Sequence, residues 1–369
     1  MSGVVTQAPG YTNFPVGRLG QLITDSSQIQ KQLDTLTAQI GSGKITTTYA
    51  GLGATASTSI NLNPLILQQQ TWSANVDAVS GQMQVAQTAL SQISQIASNF
   101  FAQTNNLNGL DPATIDSVAA SARDALTQVA GLLNSQDGAI YVFGGQDSLN
   151  PPVPNADHIL SSGFSAQIAS AVAGLSGAGA TATIAATLAI GGSNAPTTSP
   201  FSANMSQGSA ALAGLRSMVQ VGPGQFVPSG LLASGNGDIT SSGTSTTGSY
   251  TRDIMRALAT IGAMTSSQAN VTGFSQLVAD THTSLGDAIT ALNGDAGVMG
   301  NRQTSLQTTK TGLSNTTTAL QSQVSGAEDV DMAATLSKLT QVQTQLQASY
   351  QLIAGTQSLS LTKFLPVGA

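Results

Sequence analysis

Groups able to do chemistry are sparse in this sequence, and the densest cluster is Glu328-Asp329-Val330-Asp331. Paired carboxylates can serve as general acid and base or bind a cation. These stand just before a helical pattern, where Asp caps free backbone amides and complements the helix dipole, and capping is the reading adopted. His158 and His282 have no partner His at ligand spacing. The first reads as a solvated loop residue and the second as a structural residue on a helix. Gly191-Gly192 and Gly222 to Gly224 lack the strand–loop–helix context and the Lys-Ser/Thr pair of a phosphate loop. Trp72 and the Met residues fit core packing. The chain has no Cys, which excludes disulfides, zinc–thiolate sites and cysteine catalysis. No catalytic residue, no metal site and no cofactor is expected.

The composition points the same way. Charged residues make up 8% of the 369 positions, against about 25% in ordinary globular chains. Glu328 is the sole Glu. A net charge of −6 with scattered Lys and Arg argues against nucleic acid, which needs a basic footprint, and 4% aromatics are too few for a base-stacking platform. The opening MSGVVTQAPGYTNFPVGRLG meets its first charge at Arg18 and lacks the basic start and apolar core of a cleavable signal peptide. No stretch approaches the ~20 predominantly apolar residues of a membrane span. The expectation is a chain that stays cytoplasmic or is exported with its N-terminus intact.

The elements are mostly helices. Leu19, Leu22, Ile29, Leu33, Leu36 and Ile40, with Ser26 in the gap, step by threes and fours as a coiled-coil seam does, and Gly41 and Gly43 stop it. A longer helix carries Leu65, Trp72, Val76, Val79, Met83, Ala86, Leu90, Ile93, Ala97 and Phe100. A third opens at Asp111-Pro112 and runs to Leu132, and Ile140 to Phe143 reads as a strand closing at Gly144-Gly145. Residues 146–249 turn rich in Gly, Ser, Thr, Ala and Pro. Ile184 to Ile190 and Gln225 to Val227 suggest strands there, and Ala166 to Leu175 and Gln207 to Gln220 suggest helices. Helical periodicity returns at Tyr250, with one short helix through Ile261 and another from Leu277 to Met299, its end marked by Gly294, Gly297 and Gly300. A last pattern runs from Leu306 to Val324, pauses at Ser325-Gly326, and resumes through Met332, Leu336, Leu339, Gln343, Leu346, Tyr350 and Ile353.

Only pairing of the two ends gives both seams a partner. The fold class is therefore mainly α: an antiparallel helical bundle or coiled coil of N- and C-terminal segments with a small β-rich central insert. The expected segments are 1–18, 19–145, 146–249 and 250–369. The assembly seam is Leu22, Ile29, Leu33, Leu36, Ile40, Leu336, Leu339, Leu346, Tyr350 and Ile353. Faces away from the seams hold Gln, Ser and Thr where a solvated bundle places Glu and Lys pairs. Such faces can meet copies of themselves without like-charge repulsion, so they read as surface destined for other subunits.

The two ends resemble the bacterial flagellin family. Glu328-Asp-Val-Asp-Met-Ala333, Leu346-Gln-Ala-Ser-Tyr350 and Ser358-Leu-Ser-Leu361 to Phe364-Leu365 are similar to its terminal helix. Leu36 to Lys44, Tyr49-Ala-Gly-Leu-Gly53 and Asn75 are similar to its N-terminal part. The similar regions cover about 20–145 and 250–365. Tyr141-Val-Phe-Gly-Gly145 followed by Pro151-Pro152-Val153, and Gly300-Asn-Arg-Gln303, resemble the family's hook-associated members at the hook–filament junction. Tyr350 to Gln357 stands where filament flagellins carry an Ala-Asn and Pro-Gln signature. The resemblance implies a structural subunit without catalysis, exported through the flagellar channel by an uncleaved signal in 1–18, and extracellular in the flagellum. Its implied partners are copies of itself, hook and filament or other hook-associated subunits, and a flagellar export chaperone. A filament-forming flagellin is the alternative; a secreted helical translocator or a fibre protein is more remote.

Overall fold

The computed structural model describes residues 14–105, 107 and 112–358, with side chains described from 20 to 355 within those ranges. Residues 1–13 of the expected export segment, the cap at Asp111 and the stretch from Leu359 to Leu365 lie outside the described residues.

In chain order the helices α1 (Phe14–Ser42), α2 (Tyr49–Leu52), α3 (Ala56–Thr104) and α4 (Pro112–Leu132) come first. A two-residue hairpin follows, β1 (Gln136–Asp137) with β2 (Ile140–Tyr141). The centre holds α5 (Gly163–Ala173), α6 (Leu175–Gly191), α7 (Ser209–Gly214) and a second hairpin, β3 (Met218–Gly222) with β4 (Gln225–Pro228). Three helices complete the chain: α8 (Tyr250–Gly262), α9 (Phe274–Glu328) and α10 (Met332–Ser358). The protein is thus mainly α, with long helices packed antiparallel and two small antiparallel hairpins.

The chain divides into two compact units. The first takes the described residues of Met1–Gln68 and Thr316–Ala369, and the second is Gln69–Asn315. In the first, α1 packs along α10. The direction is antiparallel, because Lys44 lies beside Asp329 while Gln30 Nε2 donates to Tyr350 Oη at 3.1 Å. Gly43, at φ 70°, supplies the left-handed turn that ends α1 and lets Ile45 N donate to Glu328 O.

In the second unit, α3 and α9 run antiparallel: Asp77 meets Lys310 at one end and Thr104 meets His282 at the other. Trp72, Val76, Val79, Met83, Ala86, Leu90, Ile93, Ala97 and Phe100, the row legible in the sequence, are all buried. Leu65, read into the same row but falling in the first unit, is exposed, and Ile66 beside it is buried. On α9 the buried row Leu285, Leu292, Met299, Leu306 and Leu313 repeats every seventh residue. Helix α8 is buried on every side, including Arg252, Asp253 and Arg256.

Three expectations need correction. Ile184 to Ile190 is helical, within α6. Ala, a strong helix former, fills that run, and Thr183, Thr187 and Gly191 are buried at helical spacing. The helix expected over Gln207 to Gln220 is confined to α7, because Val219 pairs with Val227 in the second hairpin. The two helices expected across Leu277 to Val324 are one, α9, which passes through Gly294, Gly297 and Gly300 and breaks only at 329–331. A Cβ at Gly294 would meet Ile239 at 3.3 Å, so close packing at that residue accounts for its small size.

Candidate functional site

The first unit holds the predicted seam. Along the described side chains of α1, Ser26 and Leu36 are buried, and Leu22, Ile29, Leu33 and Ile40 are half-buried. On α10 the inward row is Thr335, Leu339, Val342, Leu346, Ser349 and Ile353, stepping by fours and threes. Leu339, Leu346 and Ile353 of the predicted seam lie in it. Leu336 and Tyr350 do not: they are 55% and 48% exposed. Thr335 and Val342, which the pattern passed over, are the two buried residues among the described side chains of α10. Alternating apolar and hydroxyl side chains hide this row in the sequence. Ile23, Ile60, Leu67, Met332 and Leu352 are further large apolar side chains exposed in this unit. No charged residue occurs between Lys44 and Asp77. A surface that is apolar in places and nearly uncharged can bury itself against another protein at little desolvation cost.

The acidic cluster closes the α9–α10 break. Asp331 accepts from Ala333 N at 2.9 Å and Ala334 N at 3.0 Å, as an N-cap does. Glu328 pairs with Lys44 Nζ at 2.7 Å and accepts from Ser59 Oγ, while Asp329 accepts from Ser325 Oγ. The hydrogen bond from Lys44, followed by that from the Ser59 hydroxyl, holds the Glu328 carboxyl below its usual range, with the Lys44 charge adding less; the hydrogen bond to Glu328 raises the Lys44 ammonium in return. These acids fasten chain segments and present no acid–base pair.

The second unit contains a buried polar cluster that the sequence reading missed. Asp295 accepts three backbone N–H groups, from Gly237, Asp238 and Ile239, at 2.5, 2.7 and 2.8 Å. Burial raises the Tyr250 phenol well above its ordinary range, and its hydrogen bond to Asp295 adds to this. Asp253 accepts from Ser241 Oγ at 2.8 Å, from Thr246 Oγ1 and from Thr247 N at 2.7 Å. Arg252 donates to Ser234 O, Ser193 O and Asn194 Oδ1, and lies over the Phe201 ring. Burial lowers its guanidinium. Asp238 is paired by both Arg216 and Arg302. Together these groups pin the irregular segment 234–249 onto α8 and α9. Two Arg one helical turn apart, in a chain with so few charges, were the available signal.

His282 stacks on Phe101 with ring centroids 3.9 Å apart, and its Nδ1 lies 3.0 Å from Thr104 Oγ1 and 3.1 Å from Phe101 O, where it closes the end of α3. His158 lies in a short 3-10 turn, Ala156–Ser161. Among the described residues no group of three His, Cys, Asp or Glu is placed to hold a metal, and no helix is long and apolar enough to cross a membrane.

Comparison with known proteins bears on the same helices. Residues 283–365 match the model of a family described as the bacterial flagellin C-terminal helical region. No curated protein matches the chain. The matched stretch begins within α9 and takes in all of α10, so the likeness to the flagellin C-terminal region is to this C-terminal part of the chain.

Proposed function

We propose that this chain is a structural subunit of the bacterial flagellum that joins hook to filament and has no catalytic role. The observation that carries the coarser part is the flagellin match over 283–365, which takes in the helix that packs on α1. The junction role rests on Tyr141 to Gly145 with Pro151 to Val153, on Gly300 to Gln303, and on the departure from the filament signature at Tyr350 to Gln357. Assembly proceeds by pairing of the end helices, with seam residues Leu22, Ile29, Leu33, Leu36, Ile40, Leu339, Leu346, Tyr350 and Ile353, and with Leu336 offered to neighbours. The subunit travels through the flagellar channel with its N-terminal signal uncleaved, is escorted by an export chaperone, and works outside the cell between hook, filament and copies of itself.

A filament flagellin is the second reading, and the family match is equally compatible with it. The two differ physically. A filament subunit binds identical copies above and below and propagates; a junction subunit meets unlike neighbours, so its self-contacts close a short layer. Purified protein seeded with filament fragments is expected to stay monomeric or form short oligomers, and a deletion strain is expected to keep hooks and lose filaments. Micrometre-long polymers of this protein alone would make it a filament flagellin.

A further inference from the structure

Four buried side-chain atoms have no hydrogen-bond partner among the described residues: Thr183 Oγ1, Arg256 Nε, Asp280 Oδ2 and Ser284 Oγ. Two of them belong to one contact, between Arg256 and Asp280. Arg256 Nη1 lies 3.4 Å from Thr187 Oγ1 on α6 and 3.5 Å from Asp280 Oδ2 on α9. Thr183 stands one turn before Thr187, and Ser284 one turn after Asp280, each on the same helix face as its neighbour. The rest of the guanidinium is occupied, with Nη2 donating to Ser245 O at 2.8 Å. Gly191 lets it settle there, since a Cβ at that position would meet Arg256 Cδ at 3.0 Å.

Buried polar groups in native proteins are almost always partnered, by protein or by ordered water. We propose that a buried water site lies between α6, α8 and α9, where water joins Arg256 Nε to Asp280 Oδ2 and is completed by the Thr183 and Ser284 hydroxyls. The donor set selects the ligand. An anion would face the Asp280 carboxylate and a cation would face Arg256. Water accepts from Nε–H and donates to the carboxylate, and each hydroxyl can do either. The site is thus an internal bridge that turns a long Arg–Asp contact into a hydrogen-bonded one.

The sign of a stability change tests this. If the hydroxyls are orphans, Thr183→Val and Ser284→Ala remove an unpaired buried polar group and raise the Tm of the full-length protein. If they bind water, each substitution strips a ligand from the bridge and lowers Tm by about 2–4 °C. Electron density of the wild-type protein at a resolution that shows ordered water gives the second readout, independent of how the variants fold. A peak within hydrogen-bond reach of Arg256 Nε and Asp280 Oδ2 is expected. A rise in Tm, a dry site, or a bound sodium or chloride in that place would overturn the proposal.

Discussion

Asp295 sits on the core side of α9, and three backbone amides from a loop more than fifty residues away converge on its carboxylate. Asp295→Ala leaves those N–H groups without their acceptor, the Gly237 one buried, a loss of about 3 kcal/mol given the strength of hydrogen bonds to charged groups. Chemical denaturation should show that loss, with new proteolytic cleavage within 234–249; an unchanged midpoint would mean the carboxylate is not the fastener. Glu328 acts at a more exposed site. Its folded carboxyl titrates below the ordinary 4.5, so its contribution is present above that value and is lost as pH falls through the folded pKa. Lys44 titrates above 10.5, so its share is present below that value and is lost as pH rises through its own raised pKa. With Lys44 half in solvent, Glu328→Gln should cost the first unit no more than about 1 kcal/mol at neutral pH. It should also flatten the fall of Tm below pH 4.5; an identical acid limb in the variant would place the titration elsewhere. Capping by Asp331 was legible because cap and helix are adjacent in sequence. Asp295 was not, since nothing local to a lone Asp on a helix announces amides arriving from residues 237–239.

Periodicity revealed the elements wherever one apolar face was uninterrupted. The row from Trp72 to Phe100 could be read residue by residue, because every inward position of α3 there is apolar. On α10 the inward row alternates apolar residues with Thr335 and Ser349, so the larger Leu336 drew the reading onto a neighbouring face, and Tyr350 reaches α1 only through its hydroxyl. That split gives a prediction. Val342→Asp should weaken the α1–α10 pair in the free subunit, visible as lost helicity by circular dichroism. Leu336→Asp should leave the monomer spectrum intact and abolish incorporation into flagella. Equal behaviour of the two variants would contradict the division of faces. The α1–α10 pair is also thin, with two buried side chains described on each helix, whereas α4 and the part of α3 from Val76 on bury many. Apolar burial is worth only about 25 cal/mol per Å², so local opening of this pair costs little. Hydrogen exchange on the monomer should be fast in 20–40 and 332–353 and slow across α3 and α4 of the second unit; uniform protection would refute this.

At the scale of the molecule, a mainly helical fold with paired ends followed from the seams, because two half-buried helices far apart in sequence need each other. The central segment was harder. Its order depends on tertiary polar contacts, such as Arg252 reaching Ser193 and Asn194, and not on any repeat that a linear pattern can display. Removing residues 340–369 should abolish incorporation while the second unit stays folded; normal assembly of the truncated chain would break the pairing account. The central claim is a place in the flagellum, and immunogold electron microscopy of bacteria making this protein tests it most directly. Label is expected on flagella, concentrated where hook meets filament. Label elsewhere on the cell, with none on flagella, would contradict it.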